Sequence, residues 1–355
     1  MKTLIIPAAG DSSRFPNMKP KWLLTHPQKG LMISKILTDE FVNSYDKIYI
    51  TILRRHVKEY EADVILDQLF KQRNINNCEL VILDRPTNSS PETVYNTIKL
   101  KNITGSLTIK DSDCVVEFDD NGLLNFIVGL DITQTETTNP GNKSFLVKDE
   151  YNNIQDIIEK NIVSNYICTG VYSLENINDF ILGYDTLKKS NLFDNKEMYI
   201  SHIFSYLIQK QIVAVEYIKC TNFKDWGTLE DWRNEQKKYK TYVFDIDGVV
   251  VQNVGPHGVK NWYNSITPLL ENIKIIQQLS KNGNQIIFMT SRDKKGIKLV
   301  EQLLKNHNII YHQIITDCYH SQRIIINDHA DTNPYPSCSS ISIERNGSLK
   351  PFLVF

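Results

Sequence analysis

No stretch of the 355-residue chain approaches the roughly 20 consecutive apolar residues that span a bilayer, so no membrane-crossing helix is expected. The opening MKTLIIPAAG carries one lysine and an apolar run only from Leu4 to Ile6 before Pro7, too short for the core of a signal peptide. A surplus of either charge is also missing. Forty Lys+Arg against 41 Asp+Glu leave a net charge of -1, which excludes a broad basic field for nucleic acid or for an anionic membrane surface. A local cluster of cations remains compatible with a small phosphorylated ligand. The six cysteines, Cys78, Cys114, Cys168, Cys220, Cys318 and Cys338, are dispersed and form no CxxC or Cys/His pair with zinc-ligand spacing. Buried thiols in a reducing cytosol are the expectation, and with them a cytoplasmic location. With 41% hydrophobic and 23% charged residues, the composition is that of a globular protein, not of a disordered, collagen-like or coiled-coil chain.

What is present is an alternation. The length predicts two domains. Short β-rich runs at 3–7, 47–53, 80–83, 106–109, 241–244, 285–289 and 323–326 end in glycine, acidic or other polar residues. Between them lie amphipathic helical patterns at 32–42, 56–72, 200–210, 269–282 and 296–307. Such alternation predicts α/β architecture, with parallel sheets covered by helices and ligands gathered at the C-terminal ends of strands. The polar run Arg233-Asn234-Glu235-Gln236-Lys237-Lys238-Tyr239-Lys240 precedes a fresh strand at Thr241, which divides the chain into 1–238 and 239–355. The two halves carry different motifs, so no internal repeat is visible.

The first strand runs into Pro7-Ala8-Ala9-Gly10-Asp11-Ser12-Ser13-Arg14, followed by Pro20-Lys21. Small residues after a buried strand let backbone N–H groups approach phosphate oxygens, and Arg14 and Lys21 would add mobile positive charge. A plain strand-to-turn connection with two surface cations fits this loop equally well when it is taken alone. It is not a Walker A loop, because the GxxxxGK[ST] spacing is absent.

Taken with later segments in the same order, the opening resembles the sugar-phosphate nucleotidyltransferases. Gly10, Ser13, Arg14, Pro20 and Lys21 fall on that family's first loop, with Ser12 where the family commonly has glycine. Ser90-Pro91-Glu92-Thr93-Val94-Tyr95 is similar to its second nucleotide segment, and Lys110-Asp111-Ser112-Asp113 to its acidic strand end. Ile157-Ile158-Glu159-Lys160 and Thr169-Gly170-Val171-Tyr172 are similar to its acceptor-contacting pieces, and Asp225-Trp226-Gly227-Thr228 with Asp231-Trp232 to its closing segment.

The resemblance covers about residues 1–232 and implies a doubly wound, GT-A-like Rossmann domain. It implies Mg²⁺ on Asp111 or Asp113 together with Asp225, and a triphosphate met by Ala8, Ala9, Gly10, Ser13, Arg14, Lys21, Glu92 and Thr93. Glu159, Lys160, Thr169 and Gly170 would meet a phosphorylated sugar or polyol, with CTP or UTP favoured as donor. Both reactants are anions, so charge neutralisation and alignment are the catalytic task. Asp111-Ser112-Asp113 is also compatible with the DxD site of a glycosyltransferase, and Trp226 and Trp232 read as core residues.

In the second half, Val243-Phe244-Asp245-Ile246-Asp247-Gly248 ends a strand in DxDG, where two carboxylates and a sharp turn can hold Mg²⁺ and expose a nucleophile. With Thr290 and the pair Asn327-Asp328, this resembles the haloacid dehalogenase-like phosphatases over about residues 240–335. That implies a Rossmannoid domain without a large cap, Asp245 as nucleophile, Asp247 as acid, Thr290 at the phosphoryl group and Asp328, with Asp331 nearby, as third metal ligand. No lysine lies between Tyr311 and Asp328, so Arg323, His320, Lys294 or Lys295 is the candidate cation, and a degenerate, regulatory domain stays open beside an active phosphatase. The two resemblances imply a bifunctional enzyme supplying precursors of surface polysaccharide such as capsule or lipopolysaccharide.

Overall fold

The computed structural model describes residues 1–134, 140–194, 196–330 and 333–353. They fall into two compact units, Met1–Trp232 and Arg233–Phe355, divided at the first residue of the polar run and not at its end.

In the first unit the strands are β1 Lys2–Pro7, β2 Lys47–Leu53, β3 Cys78–Leu83, β4 Ser106–Lys110, β5 Cys114–Glu117, β6 Phe126–Asp131, β7 Ser144–Lys148, β8 Ile154–Glu159, β9 Tyr166–Leu174, β10 Glu216–Lys219 and β11 Asn222–Asp225. Nine of these form one sheet whose main path is β10-β6-β9-β4-β1-β2-β3, with β7 attached at β9 and β8 at β7. β1 is parallel to β2 and β4, whereas β9 is antiparallel to β4 and β6. β5 and β11 make a separate antiparallel ribbon.

The middle of β1, Leu4-Ile5-Ile6, is an unbroken apolar run because both faces of the strand are covered. Ile5 points into one core with Val94 and Ile98, while Leu4 and Ile6 point into the other with Trp22, Ile33 and Leu66. The period of two along the strand thus feeds two cores. Val94 and Ile98 belong to a helix over Ser90–Lys101, whose start is capped by the Ser89 hydroxyl.

Two helical patterns are interrupted. The run 32–42 splits into α1 Met32–Ile36 and α2 Asp39–Asn43, because the Thr38 hydroxyl accepts the Phe41 N–H at 3.2 Å and starts a new helix. The run 56–72 splits into α3 Arg54–Tyr60 and α4 Ala62–Gln72 at Glu61, whose φ of 50° lies in the left-handed region.

The second unit holds a three-stranded parallel sheet in the order β12 Thr241–Asp245, β13 Gln285–Met289 and β14 Gln313–Ile315. Its core gathers Phe244, Ile246, Val250, Ile276, Phe288 and Leu304. The strand expected at 323–326 is not formed: the chain there has no regular structure, and Ile326 is 92% exposed. Its apolar run matches a buried strand by composition, but no strand of the described residues pairs with it, and composition alone cannot supply a ladder. Among the described residues no helix is long and apolar enough to cross a membrane.

Candidate active site

Lys21 starts a 3-10 turn over Lys21–Leu23 that is anchored by the buried side chains of Trp22 and Leu23. Ahead of it the loop leaves β1 through buried Ala8 and Ala9 to exposed Gly10, where a Cβ would meet nothing within 4 Å. Ser12, at the position where the resembled family has glycine, takes φ 50°. Its hydroxyl accepts the Lys21 N–H at 3.2 Å, which holds the two ends of the loop together. Ser13 and Arg14 are exposed.

The acidic residues converge through strand pairing. Antiparallel pairing of β4 with β9 puts Lys110 opposite Val171, so Asp111 N–H meets the Gly170 carbonyl at 2.9 Å. Pairing of β5 with β11 puts Cys114 opposite Asp225, and Trp226 N–H donates to the Asp113 carbonyl at 2.8 Å. A Cβ placed on Gly227 would stand 3.1 Å from Asp225 Oδ1, 3.2 Å from Asp113 Oδ2 and 3.7 Å from Arg14 Nη1. Residues separated by more than two hundred positions thus border one point. Trp226 and Trp232 are buried beneath it, ring to ring with each other and with His26.

Two lysines sit on these carboxylates. Lys21 pairs with Asp113, and Lys143, a residue that the sequence did not single out, pairs with Asp225. Burial pushes the Asp111 carboxyl above the usual range, and the charge of Asp113 pushes it further. Burial acts on Asp113 in the same direction, but Lys21, by charge and hydrogen bond, overrides it and holds Asp113 low, with help from Arg14 and Lys143. Beneath both lies the first residue of the Lys110-Asp111-Ser112-Asp113 segment, to which the sequence assigned no role. The wholly buried Lys110 donates to the carbonyls of Asp111 at 3.2 Å and Cys114 at 2.5 Å, tying down the turn between them.

Among the described residues no three His, Cys, Asp or Glu side chains form a metal-holding cluster. Mg²⁺ needs fewer, because it is held by one or two carboxylates and completes its shell with water and substrate phosphates. Asp113 and Asp225 supply two hard oxygen donors around the space that Gly227 leaves free of a side chain, so the residues fit that ion.

The acceptor-side residues divide. Glu159 accepts hydrogen bonds from Ser201 and, at 2.6 Å, from Ser144. Lys160 donates to the Tyr199 hydroxyl at 2.6 Å, which raises its pKa, and Tyr199 donates to Glu197 at 2.8 Å. Thr169 is buried with its hydroxyl on the Val128 carbonyl at 2.9 Å, so its side chain serves the sheet. Gly170, at φ 80°, lies against Asp111: a Cβ there would come within 2.5 Å of Asp111 Oδ2. At the start of the Ser90–Lys101 helix, Glu92 accepts the Asn88 N–H at 2.7 Å and the Thr93 hydroxyl meets that of Thr87 at 2.6 Å.

In the second unit Gly248 takes φ 97°, which explains the glycine of DxDG. Asp247 is gripped on both oxygens by fully buried Arg292, at 2.8 and 2.6 Å. Arg323 stands 3.7 Å from Asp245. Burial raises the Asp245 pKa and Asp247 adds to it, while Arg323 and His320 oppose. Thr290 is buried, with its hydroxyl accepting the Arg292 N–H at 3.1 Å. Asp328 lies exposed in the irregular segment and does not join Asp245 and Asp247 in a metal cluster of the described residues. Asp331 lies outside the described residues.

No family model matches the chain. It is 27% identical over 226 residues to the bifunctional protein GlmU of Methanococcus aeolicus, a match that takes in 61% of this chain and spans half the length (50%) of that relative. Among solved structures it is similar to a nucleoside-diphosphate-sugar pyrophosphorylase from Vibrio cholerae, at TM-score 0.56 and 20% identity over 66% of this chain and 99% of that one. It is similar also to the inositol-1-phosphate CTP transferase of T. maritima, at 0.51 and 12% over 65% and 91%. A UDP-glucose pyrophosphorylase in complex with UDP-glucose aligns at 0.52 and 15% over 67% and 97%. These shares of the chain are close to the part that the Met1–Trp232 unit makes up. Over about 66% of its length the chain has the nucleotidyltransferase fold seen in sugar-nucleotide pyrophosphorylases.

Proposed function

We propose that the first unit transfers a nucleotidyl group from a nucleoside triphosphate to a phosphorylated sugar or polyol and releases pyrophosphate. The observation that carries this reading is the meeting of Asp113, Asp225 and Arg14 around Gly227, with Lys21 on Asp113. A phosphate oxygen of the acceptor attacks the α-phosphorus, and the bond to the bridging oxygen breaks with its electron pair leaving on pyrophosphate. No general base is needed, because the attacking phosphate is already an oxyanion. Asp113 and Asp225 would hold Mg²⁺, which supplies neutralisation of the phosphate charge. Arg14 and Lys21 bind the triphosphate, and Lys160, presented by Tyr199, receives the acceptor phosphate. Asp111, packed on Gly170, fills the second acidic position. CTP and UTP are the favoured donors, and both nucleobases occur in the names of proteins with this fold.

For the second unit we infer phosphomonoester hydrolysis at Asp245. Support comes from Arg323, which lies 3.7 Å from Asp245 and can supply the charge that a lysine would otherwise bring. In this reading Asp247 must exchange its contacts with Arg292 before it can act as an acid. Supply of surface-polysaccharide precursors is the corresponding biological role.

Pyrophosphate release, measured with four triphosphates against a panel of phosphosugars and phosphopolyols, tests the first activity. Silence across the panel, with hydrolysis or transfer of a nucleotide sugar instead, would make the first unit a glycosyltransferase. Asp245→Asn tested on general phosphatase substrates checks the second: release unchanged from wild type removes Asp245 from catalysis, and none from either form favours a regulatory domain.

A further inference from the structure

Nucleotidyl transfer as proposed draws on Arg14, Lys21 and Lys160, and Lys143 adds a fourth cation beside Asp225. Its ammonium pairs with the Asp225 carboxylate, and its charge also reaches Asp113. Its main-chain carbonyl accepts the Lys160 N–H at 3.0 Å, because β7 pairs with β8 so that Ser144 faces Glu159. Lys143 therefore starts beside the residue proposed for the acceptor phosphate and ends on a carboxylate proposed for the metal.

We propose that Lys143 is a catalytic residue: its ammonium holds Asp225 in the free protein and moves to the acceptor's phosphate once a divalent cation takes that carboxylate. The inference rests on the nucleotidyltransferase reading. Lys143 sits on Asp225 Oδ2 while the space at Gly227 borders Oδ1, so an ammonium and a divalent cation on this one carboxylate would lie close together and repel. Lys21 on Asp113 and Lys143 on Asp225 keep the acids compensated before substrates arrive. When the metal arrives with the triphosphate, the displaced ammonium needs another anion within reach. Lys21 starts from the first loop, on the side proposed for the triphosphate, whereas Lys143 starts beside Lys160, the residue proposed for the acceptor phosphate. Both Lys143 and Asp225 keep about a fifth of their side-chain surface in water, at 20% and 19%, so the pair can open without unpacking the core.

The test uses the full chain and Mn²⁺ as the metal probe. Free Mn²⁺ is titrated by electron paramagnetic resonance into wild type, Lys143→Met and Lys143→Arg, with no nucleotide present. Lys143→Met removes the competitor and is expected to bind Mn²⁺ at least about fivefold more tightly, the upper end for an exposed ion pair, because this one is only about a fifth exposed. With triphosphate and acceptor, the same variant is expected to lose about tenfold or more in kcat/KM for the acceptor, while the KM for triphosphate stays as in wild type. Lys143→Arg should recover most of that loss. Unchanged Mn²⁺ affinity, or an unchanged acceptor kcat/KM, in a variant that melts like wild type overturns the proposal and leaves the nucleotidyltransferase reading standing. Wild type that releases no pyrophosphate with any pair overturns that reading and the catalytic role of Lys143 with it, whereas the Mn²⁺ titration still reports whether Lys143 and a cation compete for Asp225.

Discussion

The buried Lys110 ammonium donates to the Cys114 carbonyl oxygen at 2.5 Å, so a cation lies under the turn that carries Asp111 and Asp113. Lys110→Met keeps the stem and removes the donor, leaving the carbonyls of Asp111 and Cys114 without it. A loss of about 1–3 kcal/mol is expected in urea unfolding. Pyrophosphate release is expected to fall as well, because the acidic turn loses its anchor. Unchanged stability would show that the turn holds its shape unaided.

Gly170 faces Asp111 so closely that a Cβ would stand 2.5 Å from Asp111 Oδ2, and its φ is 80°. Gly170→Ala therefore meets two penalties, a left-handed backbone worth about 1–2 kcal/mol and a displaced carboxylate. A lower thermal midpoint together with weaker Mn²⁺ binding is expected. A variant that melts and binds Mn²⁺ like wild type would remove Asp111 from the site.

Asp225→Asn and Asp113→Asn preserve shape and remove charge. Each is expected to lower kcat for pyrophosphate release by at least about a hundredfold, the scale of losing one preorganised electrostatic contact in such a site. The check is steady-state turnover at saturating Mg²⁺. Activity within a factor of two of wild type in either variant would move the metal elsewhere.

His56 is buried against Trp22, and burial lowers its pKa to about 4, with Arg55 adding to the effect and Asp11 opposing it. The unfolded chain therefore binds the proton first, near the ordinary value of 6.5. Stability is fully present above that pH and is lost progressively as the pH falls toward about 4. The urea midpoint of wild type should drop between pH 7.5 and 5, and His56→Gln should show a smaller drop. Equal drops in both proteins would assign the acid sensitivity to other groups.

Arg292 holds Asp247 by two hydrogen bonds from a fully buried position. Arg292→Met strips the partner from a carboxylate that is only 11% exposed, and a loss of about 3–5 kcal/mol is expected in chemical unfolding. Arg292→Lys is expected to recover only part of this, because an ammonium cannot reproduce the two-point contact. Full recovery by lysine would reduce the pair to simple charge compensation.

Features that depend on near neighbours were legible from the residues alone. The β-branched and apolar runs at 47–53 and 285–289 became strands with those bounds, since their composition suits a pleated, at least half-buried surface. Gly248 had to be glycine for the turn after Asp247. Motif order along residues 1–232 pointed to the fold that solved structures share over 66% of the chain. Tertiary structure alone decided which side chains meet. Lys143 came to lie beside Lys160 through the pairing of Ser144 with Glu159, its ammonium meets Asp225, and Asp225 reached Asp113 through its pairing with Cys114. Neither pairing leaves a local period in the chain, and neither does the grip of Arg292 on Asp247 across 45 positions. The run at 323–326 failed as a strand for the same reason: its composition was right, and strand formation waits on a neighbour to complete the ladder.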